Sequence, residues 1–485
     1  MLIFLLVLLV LAAAACGYWF WLKSHYAVPD WANEIHRVTC GDLWTICLWR
    51  YRNEGKPGEP VLLCHGFGGN RFNFTYPREA CIVNTLVQNG YDCWVIELRG
   101  CRSSKPPFGR TRNDATADDY VNQDLAAAIQ AIRRATGYER VHWVGHSMGG
   151  MLLYAYQLSF GTAHLASGTT LASPPGFEGV PYGSPKALLF LLQYARPVLN
   201  TVTRALTPLL TILKPKVAVF PVNYENLHPK ADGRLFFNVI ELPAVGVAGA
   251  FDFWVANKVW TMDSGRLDVA AGLGTLTVPL LAIYGKADPL VPLANAESFF
   301  NNLPGKDKKM IVFSEEAGHA ADYSHGDLAF AVKGPEEVYT PIAKWLAAHK
   351  IREHYDPDLG KDEPKHALDV EVAVCAPPEA GKPETTQEPA DSPPQEEQTG
   401  KTEKPVAKKK RARKPVAKKA VTKKKSTSKK KVSTKKKPRA RKPVAKKPAA
   451  KKKTTAKKKP AAKKKTTPKK KTRAGKPTAK RKSSP

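Results

Sequence analysis

Cysteine is scarce and scattered. Eight occur in 485 residues, seven of them before residue 102, and none stands at CxxC spacing. That excludes a small disulfide scaffold and the common zinc-ribbon ligand sets. Cys64 and Cys93 sit inside apolar runs and read as buried free thiols rather than disulfide partners. Also missing are a glycine-rich phosphate loop, a dinucleotide fingerprint and a metal-ligand constellation, so no cofactor and no metal is implied. Acidic and aromatic residues are nearly absent from residues 401–485, which hold 41 Lys and Arg against one acid, Glu403, and no aromatic ring. The formal charge of +33 belongs to that stretch, since residues 1–354 sum to near +2 and residues 355–400 to near −9. A uniformly basic nucleic-acid-binding domain is therefore excluded.

The first residues are a membrane segment by composition. Residues 2–22 are 21 positions without a charge, enough to span a hydrocarbon core of roughly 30 Å as a helix. Tyr18, Trp19, Phe20 and Trp21 close the run with rings that favour the membrane interface, and Lys23 follows. A cleaved signal peptide would carry a basic start and a shorter apolar stretch. Ala13-Ala14-Ala15-Cys16 loosely resembles a lipoprotein signal, but Ala stands where Leu is usual. The expectation is a retained single-pass anchor, residues 1–22. The folded domain is expected on the cytoplasmic side, because only the C-terminal flank has a basic side chain.

Residues 24–354 read as one α/β domain. Apolar runs at residues 45–49, 60–64, 91–98, 140–144, 168–172, 278–284 and 309–313 suggest strands. Residues 118–135 and 335–349 have helical spacing. Strands separated by helices imply a mostly parallel, buried sheet. Between about residues 174 and 277 the alternation lapses into apolar helical stretches broken by Pro197, Pro208 and Pro215. This insertion is expected to be a helical cap. Its leucine-rich part, residues 187–213, reads either as a packed helix pair or as an acyl-chain channel or lipid-facing lid.

The chemistry concentrates at Gly145-His146-Ser147-Met148-Gly149. It follows an apolar strand and precedes a run able to start a helix. A serine on such a tight turn needs small neighbours and lifts its hydroxyl out of the sheet. The helix N-terminus and the Met148 N–H then point where an oxyanion would form. Ser147 is therefore read as a nucleophile, against a merely structural glycine-rich turn. Upstream, His65-Gly66-Phe67-Gly68-Gly69 follows another strand, and the Phe67 N–H is the expected second oxyanion donor. His65 is expected to brace this loop rather than act as a base.

Together these motifs resemble the α/β-hydrolase superfamily over about residues 36–350. The resemblance implies an α/β-hydrolase fold with a mostly parallel central sheet and a Ser-acid-His triad in that chain order. It also implies activity on esters or related acyl compounds. The acid is then expected after the strand beyond the cap, where Tyr284-Gly285-Lys286-Ala287-Asp288-Pro289 offers Asp288; Asp263 and Asp268 precede that strand and fit less well. Two histidines compete. Gly318-His319 resembles the loop of many small hydrolases, whereas Tyr323-Ser324-His325-Gly326-Asp327 resembles the acid-lipase branch. His325 is the expected base, with His319 the alternative. Polyhydroxyalkanoate synthases, which this branch also resembles, carry Cys at the nucleophile position, and dehalogenases carry Asp. Serine favours an acyl-enzyme hydrolysed by water. The implied substrate is an apolar carboxylic ester.

Residues 355–400 are acidic and proline-rich and read as a linker too polar to fold. Residues 401–485 repeat Lys-Pro-Val-Ala-Lys-Lys at 404–409, 414–419 and 442–447. They resemble the tails of linker histones and of histone-like bacterial proteins. Such a tail is expected to be disordered and to bind DNA or another polyanion by charge alone, without base stacking. Two functions of different class follow. One is a serine esterase or lipase anchored in a bacterial inner membrane, or an acyltransferase using the same chemistry. The other is a tether between membrane and nucleoid with an idle hydrolase domain.

Overall fold

The computed structural model describes residues 1–55, 58–180, 186–214, 221–231, 233–354 and 372–375. The chain divides into two units, Met1–Ala390 and Asp391–Pro485, and every described residue lies in the first. Residues 401–485 lie outside the described residues.

An apolar helix comes first: α1, Leu2–Tyr26. Its length and composition suffice to cross a membrane. Among the described residues, eight strands of the main sheet then follow, most of them short apolar runs, while Thr261–Met262 and Leu267–Asp268 pair in a separate two-stranded sheet. The eight are β1 (Glu34–Thr39), β2 (Thr45–Tyr51), β3 (Pro60–Cys64), β4 (Asp92–Glu97), β5 (Val141–His146), β6 (Leu165–Leu171), β7 (Leu280–Gly285) and β8 (Lys308–Phe313). Val372–Cys375 supplies β9. The sheet order is β8-β7-β6-β5-β3-β4-β2-β1-β9. Pairing is parallel from β8 through β4 and antiparallel from β4 to β9.

Because side chains alternate along a strand, each parallel strand feeds two cores. Leu62, Trp94, Ile96 and Trp143 face one side, where helices Ala126–Thr136 and Met148–Phe160 pack. Val61, Leu63, Val95 and Ile283 face the other, against helices Ile82–Gln88 and Thr340–Ala348. The cysteines are all free, with Cys64 and Cys93 buried.

Three features depart from the sequence pattern. Strand β1 is absent from it, because Glu34, His36 and Arg37 interrupt the apolar run; Glu34 instead pairs with Arg50, which also grips the buried Asp92. Strand β9 lies within the stretch expected to be too polar to fold. Its four apolar residues pair with the open edge of β1, Ile35 opposite Cys375 and Val38 opposite Val372. Pro197, expected to break a helix, lies inside one, Lys186–Ala205. Proline removes the N–H that would bond the Gln193 carbonyl. That carbonyl accepts from the Asn113 side chain at 3.2 Å instead.

The cap is helical, as its composition suggests. It contains Lys186–Ala205, Thr207–Leu213, Arg234–Asn238 and Val245–Asn257. Pro208 stands in the first turn of the second of these, where a missing N–H costs little. Pro215 lies outside the described residues.

Candidate active site

Strand β5 ends at His146, and the next helix begins at Met148. Ser147 alone makes the turn, at φ 52° and ψ −119°. A side-chain-bearing residue in that region is strained, and strain of this kind costs of order 1–3 kcal/mol. The turn is possible because its neighbours lack side chains. A Cβ on Gly149 would stand 1.9 Å from the Cys64 carbonyl oxygen, and one on Gly145 would stand 2.4 Å from the Gly149 backbone. The Ser147 N–H donates to the Leu171 carbonyl at 2.8 Å, tying the turn to β6.

Two loops at the same end of the sheet complete the constellation. Asp288 follows β7 and His325 follows β8. His325 Nε2 lies 2.8 Å from Ser147 Oγ, and its Nδ1 lies 2.8 Å from Asp288 Oδ2. A carboxylate only accepts, so Nδ1 carries the proton and Nε2 is left to accept from the serine hydroxyl. Asp288 also accepts from the Leu290 amide at 2.8 Å, which orients the carboxylate.

The histidine loop is clamped from several sides. Asp327, fully buried, accepts from the Ser324 amide at 3.0 Å, the Asn223 amide at 3.2 Å and Asn226 Nδ2 at 2.9 Å. Burial pushes its carboxyl pKa up, while these donors pull it back. The Tyr323 hydroxyl donates to Glu337 at 2.6 Å. His146 Nε2 meets the His325 carbonyl at 3.0 Å.

The glycine-rich loop after β3 lies beside the serine. Among the described residues, neither the Phe67 nor the Met148 amide has a backbone carbonyl partner, so both N–H groups are available. His65 is buried, with Nδ1 2.9 Å from the Gly66 carbonyl and Nε2 3.5 Å from Cys101 Sγ. Burial lowers the His65 pKa and raises that of Cys101, which keeps the ring neutral and the thiol protonated. His65 thus braces the loop.

Met148 walls two small cavities. One, about 20 Å³, is also lined by Phe67, Cys101, Arg196 and Glu241. The other, about 10 Å³, has the apolar side chains of Met151, Leu152, Phe251, Trp254 and Trp260 in its wall.

The residues singled out from sequence divide clearly. Ser147, Asp288 and His325 are brought together, with Phe67 and Met148 beside them. His319 is not: its Nδ1 faces the Ser314 backbone and its ring packs on Phe313 at 4.5 Å. Asp263 pairs with Arg266, and Asp268 caps a short helix through the Ala271 amide. Sequence reasoning missed the supporting residues His146, Asn73, Asn226 and Asp327. Asp327 did carry a signal, since it closes the Tyr-x-His-x-Asp pattern.

Comparison with known proteins fits this geometry. The model of the alpha/beta hydrolase fold family matches residues 59–323, more than half of the chain. A lipase of Drosophila melanogaster is 29% identical over 130 residues, covering 24% of this chain and 28% of the relative. A poly(3-hydroxyalkanoate) polymerase subunit of Haloferax mediterranei is 23% identical over 338 residues, covering 64% of each chain. The chain therefore spans less than two thirds of either relative. A solved esterase from Thermogutta terrifontis aligns with 66% of this chain and 100% of its own, at 22% identity and a TM-score of 0.43. A mostly parallel sheet, a strained serine between β5 and its helix, and a family match spanning both make this chain a member of the α/β hydrolase fold family.

Proposed function

We propose that this protein is a membrane-anchored serine hydrolase of carboxylic esters. The observation that carries the reading is the pair of 2.8 Å contacts joining His325 to Ser147 on one side and Asp288 on the other. Ser147 Oγ attacks the ester carbonyl carbon as its proton passes to His325 Nε2. Asp288 holds the ring and supports its positive charge without taking the proton. The Phe67 and Met148 amides receive the oxyanion, and one such donor is typically worth roughly 3–4 kcal/mol. Collapse breaks the bond to the alcohol, which leaves with the proton from His325. Water, giving its proton to the same Nε2, attacks the acyl carbon; the bond to Ser147 Oγ breaks as His325 returns that proton to Oγ, and the acid leaves.

Helix α1 is read as the anchor, because residues 2–17 are exposed and apolar throughout. The lysine-rich residues 401–485 are read as a polyanion-binding tail, with DNA as the favoured partner. A fluorophosphonate tests the central claim. It should label the full chain once, on Ser147, and Ser147→Ala should lose both label and ester turnover. Labelling elsewhere, or none with any ester inert, would leave the tether reading standing. The polymerase-subunit relative favours one variant of the reading, in which a hydroxyl of another molecule replaces water. Product analysis in the presence of alcohol acceptors separates the two.

A further inference from the structure

Two cap helices, α2 (Lys186–Ala205) and α3 (Thr207–Leu213), carry an exposed apolar stripe. Tyr194, Val198, Val202, Leu206, Leu209 and Ile212 recur at helical spacing and are 43–80% exposed. Among the described residues 187–213, none that is exposed carries a charge. Arg196 on the opposite face turns inward, donating to the Gly100 and Leu242 carbonyls at 2.8 Å each. Single exposed hydrophobic residues are ordinary, but a continuous stripe marks a contact surface.

Helix α1 shows what the stripe meets. Residues 2–17 are exposed. The first anchor side chain to bond the hydrolase is Tyr18, whose hydroxyl donates to the Ala205 carbonyl at 2.6 Å, at the last residue of α2. The Trp19 and Tyr26 rings lie 6.1 and 6.3 Å from Phe237, and Asn238 donates to the Tyr26 carbonyl at 2.8 Å. So α1 leaves the domain through the cap. As a helix, residues 2–17 reach about 24 Å, most of a hydrocarbon core of roughly 30 Å. Tyr18 then falls at the membrane interface, where Tyr and Trp concentrate. Ala205 is bonded to it, and Val202, Leu206 and Leu209 surround Ala205 along the chain. They therefore lie close to the point where α1 meets the cap.

We propose that the α2–α3 stripe is a second membrane contact, set into the leaflet interface that α1 enters, and that the ester is drawn from that leaflet. The proposal rests on α1 being an anchor. Lys214, whose Nζ lies over the Tyr224 ring, follows the stripe at its C-terminal end, where a cation meets anionic headgroups. One helix thus faces lipid with Tyr194 and Val198 and lines the cavity beside the oxyanion loop with Arg196. The substrate class that follows is a membrane-resident lipid ester.

The test uses the full chain in phosphatidylcholine–phosphatidylglycerol vesicles. Benzoylphenylalanine at Leu209 or Ile212 should photocrosslink to phospholipid. At Ala348 it should not, because neighbouring His349 bonds Asp307, at the sheet edge away from the serine. In parallel, the combined change Leu206→Glu, Leu209→Glu and Ile212→Glu should slow hydrolysis of a vesicle-borne lipid ester about tenfold. Turnover of a short water-soluble ester should stay unchanged. Adducts to a second copy of the chain, no lipid adduct, or equal effects on both esters in a chain that resists carbonate extraction would overturn the stripe and leave the anchor standing. Extraction by carbonate would overturn both.

Discussion

His146 holds the backbone of His325. Its Nε2 lies 3.0 Å from the His325 carbonyl oxygen, and the two rings are 5.1 Å apart. The residue before the candidate nucleophile therefore positions the candidate base. Burial is the main reason its pKa falls to about 3, with His325 adding to the effect. The ring is neutral and carries one proton, with an acceptor at each nitrogen: the His325 carbonyl at Nε2 and Asn73 Oδ1, 3.1 Å from Nδ1. Asn73 Oδ1 also accepts from the Gly66 amide at 3.3 Å. His146→Phe keeps the ring volume and removes the donor. Small misplacements of a catalytic group can cost about 100-fold. Turnover and fluorophosphonate labelling should therefore fall together by roughly ten- to a hundredfold, with KM for a soluble ester little changed. Unaltered labelling would show that Asp327 and its partners suffice to hold His325.

The same residue predicts acid sensitivity. The His146 pKa is lower in the folded chain than its ordinary 6.5, so the unfolded chain binds the extra proton between the two values. The stability it contributes is fully present above about pH 6.5 and is lost as pH falls toward about 3, at roughly 1.4 kcal/mol per pKa unit. Melting temperatures at pH 7 and 4.5 check this. The drop should be large in the parent and smaller in His146→Phe; parallel drops would refute it.

Ser147 sits at positive φ, so Ser147→Gly should trade activity for stability. Glycine adopts φ 52° without the steric cost, and relief of about 1 kcal/mol would raise the melting temperature by a few degrees. Ester turnover should vanish. A lower melting temperature would mean the turn stores no strain.

The two histidines should separate sharply. His325→Ala should reduce turnover by roughly 10⁴-fold, and Asp288→Asn should also cost orders of magnitude by misorienting the ring. His319→Ala, which removes a ring facing the Ser314 backbone, should change turnover little. Steady-state kinetics on one soluble ester would rank the three, and the reverse ranking would reassign the base.

Removing residues 401–485 from the detergent-solubilised chain should leave soluble-ester turnover nearly unchanged and abolish binding to duplex DNA. In the parent chain, affinity should fall about 10³- to 10⁵-fold between 50 and 200 mM salt as condensed counterions are released. It should be indifferent to base sequence, because flexible lysines give no fixed geometry for reading base edges. Binding that survives the truncation would sink this, since residues 1–354 sum to near +2.

Features that depend on neighbouring residues were legible in the sequence. The strand, tight turn and helix around Ser147 follow from a short apolar run meeting Gly145, Gly149 and Gly150. The mostly parallel sheet followed from the same kind of pattern, and the charge of residues 401–485 needs no structure at all. Tertiary structure decided what separate segments do to one another. His325 rather than His319 reaches Ser147 because Asp327, Asn226 and His146 hold its loop there, and Ser147 and His325 are 178 residues apart. Strand β1 hid behind Glu34, His36 and Arg37; Glu34 is paired by Arg50 of β2, which in turn grips Asp92 of β4. Pro197 lies within a helix where Asn113, 80 residues before Gln193, bonds the carbonyl that the proline leaves without a backbone donor. Tyr18 meets Ala205 across 187 residues. Periodicity and local propensity cannot encode such pairings, because each is set by where the folded sheet and cap bring distant segments.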